Sequence, residues 1–270
     1  MTTSYGDWQA GHLHLGAAEL YVVLNGPNAS ATEVFKLALH ELVGRGVLDA
    51  SYRQEGSGRT TTRRAVLLPA TSRPGKLRRP LRNIMDVYNI LAQTSSESGN
   101  GIDVQDLARA LRERHEGKLS QWVTDEVVGS LVEQGLYSEE QVKRLGLFVA
   151  TNYEPTPTGK AAQSVLKSSI EQTKDQFSSW ASGDRTRATA FLAIAGPAVL
   201  LMPELRPEIE RLRPESPGAQ KMMEARAETV ATIADPEFDV YRLVDAAEEI
   251  KVLDNVLDYS GLERDRASEG

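Results

Sequence analysis

Six cations crowd one stretch of the chain: Arg63, Arg64, Lys76, Arg78, Arg79 and Arg82. Their charged groups each donate several hydrogen bonds, so the chemistry open to them is anion binding. The surrounding segment, residues 44–83, holds 10 Lys/Arg against 2 Asp/Glu. The whole protein carries a net charge of −7, and residues 84–270 hold 20 Lys/Arg against 32 Asp/Glu. An acidic molecule with one basic segment points to a local anionic partner rather than to general coating of nucleic acid. An anionic phospholipid surface fits, each cation contributing up to about 1 kcal/mol of attraction near it. The plainer reading is a solvated charged face.

A second candidate is apolar. Leu147, Phe148, Val149 and Tyr153 lie in one short run bounded by Pro155 and Pro157. If Leu147 and Val149 face inward, strand alternation turns Phe148 outward. An exposed aromatic there can enter a membrane interface or join a second copy of the chain. The alternative is that neighbouring helices cover both faces.

Other chemistry is missing from the sequence. There is no cysteine, which excludes a disulfide framework and thiol catalysis and fits a reducing, cytoplasmic setting. The four histidines are dispersed. His12 and His14 have no ligand at metal spacing, and His40 has neighbours that suit a packing role. No phosphate-binding glycine loop, HExxH or GxSxG motif occurs. The expectation is a protein with no catalytic residues, no cofactor and no metal. The first twenty residues carry no Lys or Arg, so no secretory signal peptide is expected.

The elements that must position these residues are mostly helices. Val127, Val128, Leu131 and Val132 repeat at helical spacing and stop at Gly135. Ser138 and Gln141 read as a capping box opening a short turn. The following run, Leu145–Pro157, reads as a hairpin bent at Thr151-Asn152. The junction ELVGRGVL (Glu41–Leu48) is echoed by SLVEQGLY (Ser130–Tyr137), which suggests a reused unit. Periodicity predicts further helices near 16–24, 32–43, 81–92, 102–115, 158–177, 219–234 and 241–257. Val47–Leu68 reads as two strands joined by Glu55-Gly56-Ser57-Gly58. Ala188–Met202, 15 residues interrupted by Gly196-Pro197, is the most apolar stretch and is too short to span a membrane. Together these predict a mainly α, single helical domain over residues 13–260, with a buried central apolar helix and small β-hairpins. Residues 1–12 and 261–270 read as loose ends.

Several short motifs recur in a particular order. They are Leu13-His14-Leu15 through Glu19 to Leu24, then His40-Glu41-Leu42 with Arg45-Gly46, then Leu131-Val132-Glu133-Gln134-Gly135. Leu145-Gly146-Leu147-Phe148 follows, and Trp180 leads through Asp184-Arg185 into the run from Ala188 to Leu192. In this order they resemble the Golgi phosphoprotein 3 family of peripheral membrane proteins. The resemblance spreads over most of residues 13–200. It implies a single mostly helical domain, binding to phosphatidylinositol 4-phosphate and a non-enzymatic adaptor role. It also implies membrane contact or homo-oligomer formation through the apolar hairpin. The tryptophan and three arginines of the family's headgroup pocket align with Gly26, Phe35, Gln121 and Thr124, and none matches.

Two other readings use the same residues. A helix ending in glycine and followed by a hairpin with Arg59, Arg63 and Arg64 looks like a winged-helix DNA-binding unit. Helix 32–43, however, offers only Lys36 and His40 against Glu33 and Glu41, and helix 119–134 is acidic, which suits nucleic acid poorly. The last reading is a helical interaction scaffold without a ligand.

Overall fold

The computed structural model describes residues 15–55, 62–70, 75–94, 101–144, 148–213 and 237–259. The chain opens with helix α1 (Ala17–Asn25), whose Ala17, Ala18, Leu20, Val22 and Val23 are all buried. A helix apolar on every side belongs inside a fold, and α1 serves as a peg around which others pack. Helix α2 (Ala31–Gly44) starts at Ser30, whose Oγ accepts from the Glu33 N–H. Strands β1 (Leu48–Glu55) and β2 (Thr62–Pro69) pair antiparallel, from Leu48 opposite Pro69 to Glu55 opposite Thr62. Helix α3 (Arg79–Thr94) follows, and the short β3 (Ile102–Asp103) pairs with Leu67 and Val66 of β2. Asp103 then caps helix α4 (Val104–Arg114) by accepting from the Gln105 N–H at 2.7 Å.

Helix α5 covers residues 119–133, with a π-helical stretch, Val123–Val128, between Leu119–Trp122 and Gly129–Glu133. Strands β4 (Tyr137–Arg144) and β5 (Phe148–Pro155) form a separate two-stranded ribbon. The long helix α6 (Pro157–Gly183) and helix α7 (Arg185–Ala195) come next, then 3-10 turns at Gly196–Leu201 and Pro203–Leu205. Helices α8 (Arg206–Leu212), α9 (Val240–Asp245) and α10 (Ala247–Tyr259) complete the described chain. Apolar side chains from α1 through α10 join in one hydrophobic core. The fold is the mainly α, single-domain arrangement with small antiparallel hairpins that the sequence predicts.

The echoed junctions are the same motif in space. Val47 donates to the Leu42 carbonyl and Gly46 to that of Val43; Leu136 donates to Leu131 and Gly135 to Val132. This is the Schellman pattern of helix ends, and its turning residue must take a left-handed conformation. Gly46 has φ 62° and Gly135 φ 71°. The first residues of the two motifs, Glu41 and Ser130, both reach the start of α1. Glu41 Oε2 accepts from the Ala17 N–H at 2.7 Å, and Ser130 Oγ donates to Glu19 Oε1 at 2.6 Å. Two copies of one helix-to-strand unit thus grip the central peg at the same end.

The apolar run Ala188–Met202 is buried, with Ala188, Phe191, Leu192, Ala195 and Val199 all in the core. The α-helix ends at Ala195 and continues as the 3-10 turn that begins with Gly196, at φ 49°, and Pro197.

Several expectations need correction. The bend of the second hairpin is not at Thr151-Asn152: both residues lie within β5, opposite Gln141 and Glu140, and the chain reverses between Arg144 and Phe148. Ser138 and Gln141 are strand residues of β4, because pairing with β5 outweighs the local capping signal. Helix α6 runs on through Gly183 instead of ending at Phe177, and the helix expected over 241–257 breaks at Ala246. The expected helix 219–234, the turn Gly56-Ser57-Gly58, both termini and Leu145 and Leu147 lie outside the described residues.

Candidate functional site

The connector before α3 is fastened by two of its own cations. Arg78 Nε lies 2.6 Å from Glu19 Oε2, an ion pair at contact distance although the N–H is not aligned on the oxygen. Glu19 is 1% exposed and also takes the Gly16 N–H at 2.7 Å and the Gln134 amide at 3.1 Å. Arg79 Nε donates to Glu126 Oε2 at 2.9 Å, its Nη2 donates to the Asp125 carbonyl, and Nη1 pairs with Glu133. Partial burial works against the Arg79 charge, but Glu126 and Glu133 outweigh it and hold its pKa above the usual value. Both arginines therefore bind anions of their own chain.

The other four predicted cations are exposed. Arg63 lies over the Tyr52 ring, 4.9 Å from its centroid, and Arg64 Nη1 is 3.7 Å from Asp103. Lys76 and Arg82 flank the fastened pair, with no acidic partner recorded among the described residues.

The ribbon β4–β5 is attached at its base. Tyr137 is buried and donates to the Val22 carbonyl at 3.2 Å, and Tyr153 packs half-buried against the core. Burial, then Glu139 and Asp125, raises the pKa of the Tyr153 phenol. Beyond the base, Glu139, Glu140 and Gln141 are exposed, and Val142 is 40% exposed. The register then sets Lys143 opposite Val149 and Arg144 opposite Phe148, at the other end of the ribbon from Tyr137 and Pro155. Leu147 lies outside the described residues. Lys143 and Arg144 were missed as candidates because the sequence reading began the hairpin at Leu145. The signal was present, since two adjacent cations directly precede an apolar turn.

The positions aligned with a phosphoinositide headgroup pocket have other roles here. Phe35 is fully buried edge-on to Trp122, with centroids 5.9 Å apart. Gln121 donates to Asp125 Oδ1 at 2.8 Å, Thr124 Oγ1 donates to the Ser120 carbonyl, and Gly26 ends α1 at φ 88°. Helix α2, the would-be recognition helix of a winged-helix protein, is enclosed: Lys36 is buried and paired with Glu33 and Asp258, and His40 Nε2 sits 2.9 Å from Asp254. A helix packed on nearly every side has no face to lay in a DNA groove.

A buried His115, with Nδ1 2.9 Å from Asp125 and Nε2 3.4 Å from Asn83, was not singled out from sequence. Among the described residues no cluster of His, Asp and Glu is placed to hold a metal ion, and no helix is long and apolar enough to cross a membrane. No protein-family model matches the chain, and no curated protein matches it.

Proposed function

We propose that the protein is a peripheral, non-enzymatic adaptor that binds anionic phospholipid surfaces. The observation that carries this reading is the ribbon, attached at its base and bearing Lys143 and Arg144 opposite Val149 and Phe148 at its far end. Cations beside apolar residues suit an anionic membrane interface, where charge attracts and apolar groups insert shallowly. Lys76 and Arg82 add charge, and the Arg78–Glu19 and Arg79–Glu126 pairs hold their segment in place. Selection in this reading is by surface charge and not by one headgroup, because Gly26, Phe35, Gln121 and Thr124 supply no cation. The same ribbon is available for self-association through its edges.

Sedimentation with vesicles tests the reading. The full chain is expected to pellet with phosphatidylcholine vesicles containing phosphatidylserine, less so as salt rises, and not with phosphatidylcholine alone. Replacing Lys76 and Arg82 together with Gln is expected to weaken binding by up to about 2 kcal/mol. Equal recovery on neutral vesicles, or tighter binding to duplex DNA at matched salt, would overturn it.

A further inference from the structure

Away from the connector and the ribbon, the structure contains a cavity of about 260 Å³ between α2, the 3-10 turns, α8, α9 and α10. Leu37, Val199, Met202, Ile209, Leu243 and Ile250 line it with apolar surface. Charged groups from three helices also line it: Glu33, Lys36 and His40 of α2, Arg206 of α8 and Asp254 of α10. Two of these basic groups already have partners. Lys36 is paired with Glu33 and Asp258, and His40 sits on Asp254.

Arg206 is different. Its Nε stands 3.6 Å from Glu210, beyond a good hydrogen bond, and its Nη2 is shielded from water with no hydrogen-bond partner. The Arg206 side chain is 40% exposed as a whole, but this one donor is buried, and a buried donor without an acceptor is costly. We infer that this cavity binds a small amphipathic monocarboxylate, its carboxylate on Arg206 and its apolar body against the wall.

Size and charge both narrow the ligand. A dry cavity of about 150 Å³ takes one benzene, so this one holds roughly ten non-hydrogen atoms. That is a medium-length acyl chain or a small aryl acid, not a two-chain lipid. Arg206 brings one positive charge, met only loosely by Glu210 at 3.6 Å, beside Glu33 and Asp254; a single negative charge suits it better than a phosphate dianion, which would face those carboxylates with one counter-charge. A guanidinium also fits the two oxygens of a carboxylate side by side.

The test is calorimetric titration of octanoate into the full chain. One site with a Kd at or below about 1 mM is expected. Octan-1-ol, of similar size and uncharged, is expected to bind at least about tenfold more weakly, and Arg206→Gln to weaken octanoate by about the same factor. As a second variant, Ile209→Phe fills the cavity without touching the charge and is expected to abolish binding. No octanoate binding by the native chain, equal affinity for octan-1-ol, or binding unchanged in both variants would overturn the assignment. So would displacement by equimolar inorganic phosphate. Vesicle binding uses other residues and is expected to be unaffected by Arg206→Gln, so the two readings fail separately.

Discussion

At the scale of single residues, buried charge decides which substitutions can report on function. Arg78 was attractive as a membrane cation, yet it faces Glu19, which is 1% exposed. Removing one partner of a buried pair leaves the other uncompensated, so Arg78→Gln is expected to cost about 3–5 kcal/mol in chemical unfolding. A near-neutral effect would show that Glu19 is held by Gly16, Ser130 and Gln134 alone. Leu192, in the centre of the apolar run, is expected to lose roughly 2–5 kcal/mol on truncation to Ala, and a loss under 1 kcal/mol would place the core elsewhere. Tyr241 gives the pH dependence. Burial, then nearby Asp239, pushes its phenol up to about 12 from an ordinary 10.0. Because the folded value is the higher, the stabilisation is complete below about pH 10 and is lost as pH rises through 12. Tyr88, Tyr137 and Tyr153 are shifted upward too, with burial as the first cause. The thermal midpoint is expected to fall over that range, less steeply in Tyr241→Phe; identical slopes would exclude Tyr241 as a contributor.

At the scale of elements, the sequence was most legible where one local signal dominated. The glycine echo at Gly46 and Gly135 is a true structural repeat, and Ser30 and Asp184, residue types suited to helix starts, cap α2 and α7. The second hairpin was misplaced for a physical reason. Ser138, Glu139, Glu140 and Gln141 are polar and read as a helix start, but an exposed ribbon needs no apolar alternation on its outer part, so β4 carried no strand signal. The fastening of the connector was also hidden, because Arg78 and Glu19 are far apart in sequence. The junction between ribbon and α6 can be tested directly. Thr156 Oγ1 donates to the Gly135 carbonyl at 2.8 Å and accepts from Gly159 N, and a Cβ on Gly159 would overlap the Leu136 carbonyl oxygen. Backbone cannot yield as a side chain tip does, so Gly159→Ala is expected to destabilise by more than about 1 kcal/mol, against a helix-propensity gain of similar size elsewhere. A stabilising effect would mean that β5 and α6 meet less closely.

At the scale of the whole molecule, one core joins helices that are contiguous in space but spread along the chain, with α1 gripped by the two repeated junctions. That body holds the ribbon at its base through Tyr137 and Tyr153, and the ribbon's far end is expected to meet an anionic bilayer. The most direct measurement is flotation of the full chain with phosphatidylserine-containing vesicles, comparing the native protein with Phe148→Ser and with Lys143 and Arg144 changed together to Gln. Both variants are expected to lose most vesicle recovery while keeping the native thermal midpoint. Undiminished recovery in both, at an unchanged thermal midpoint, would contradict membrane contact through the ribbon.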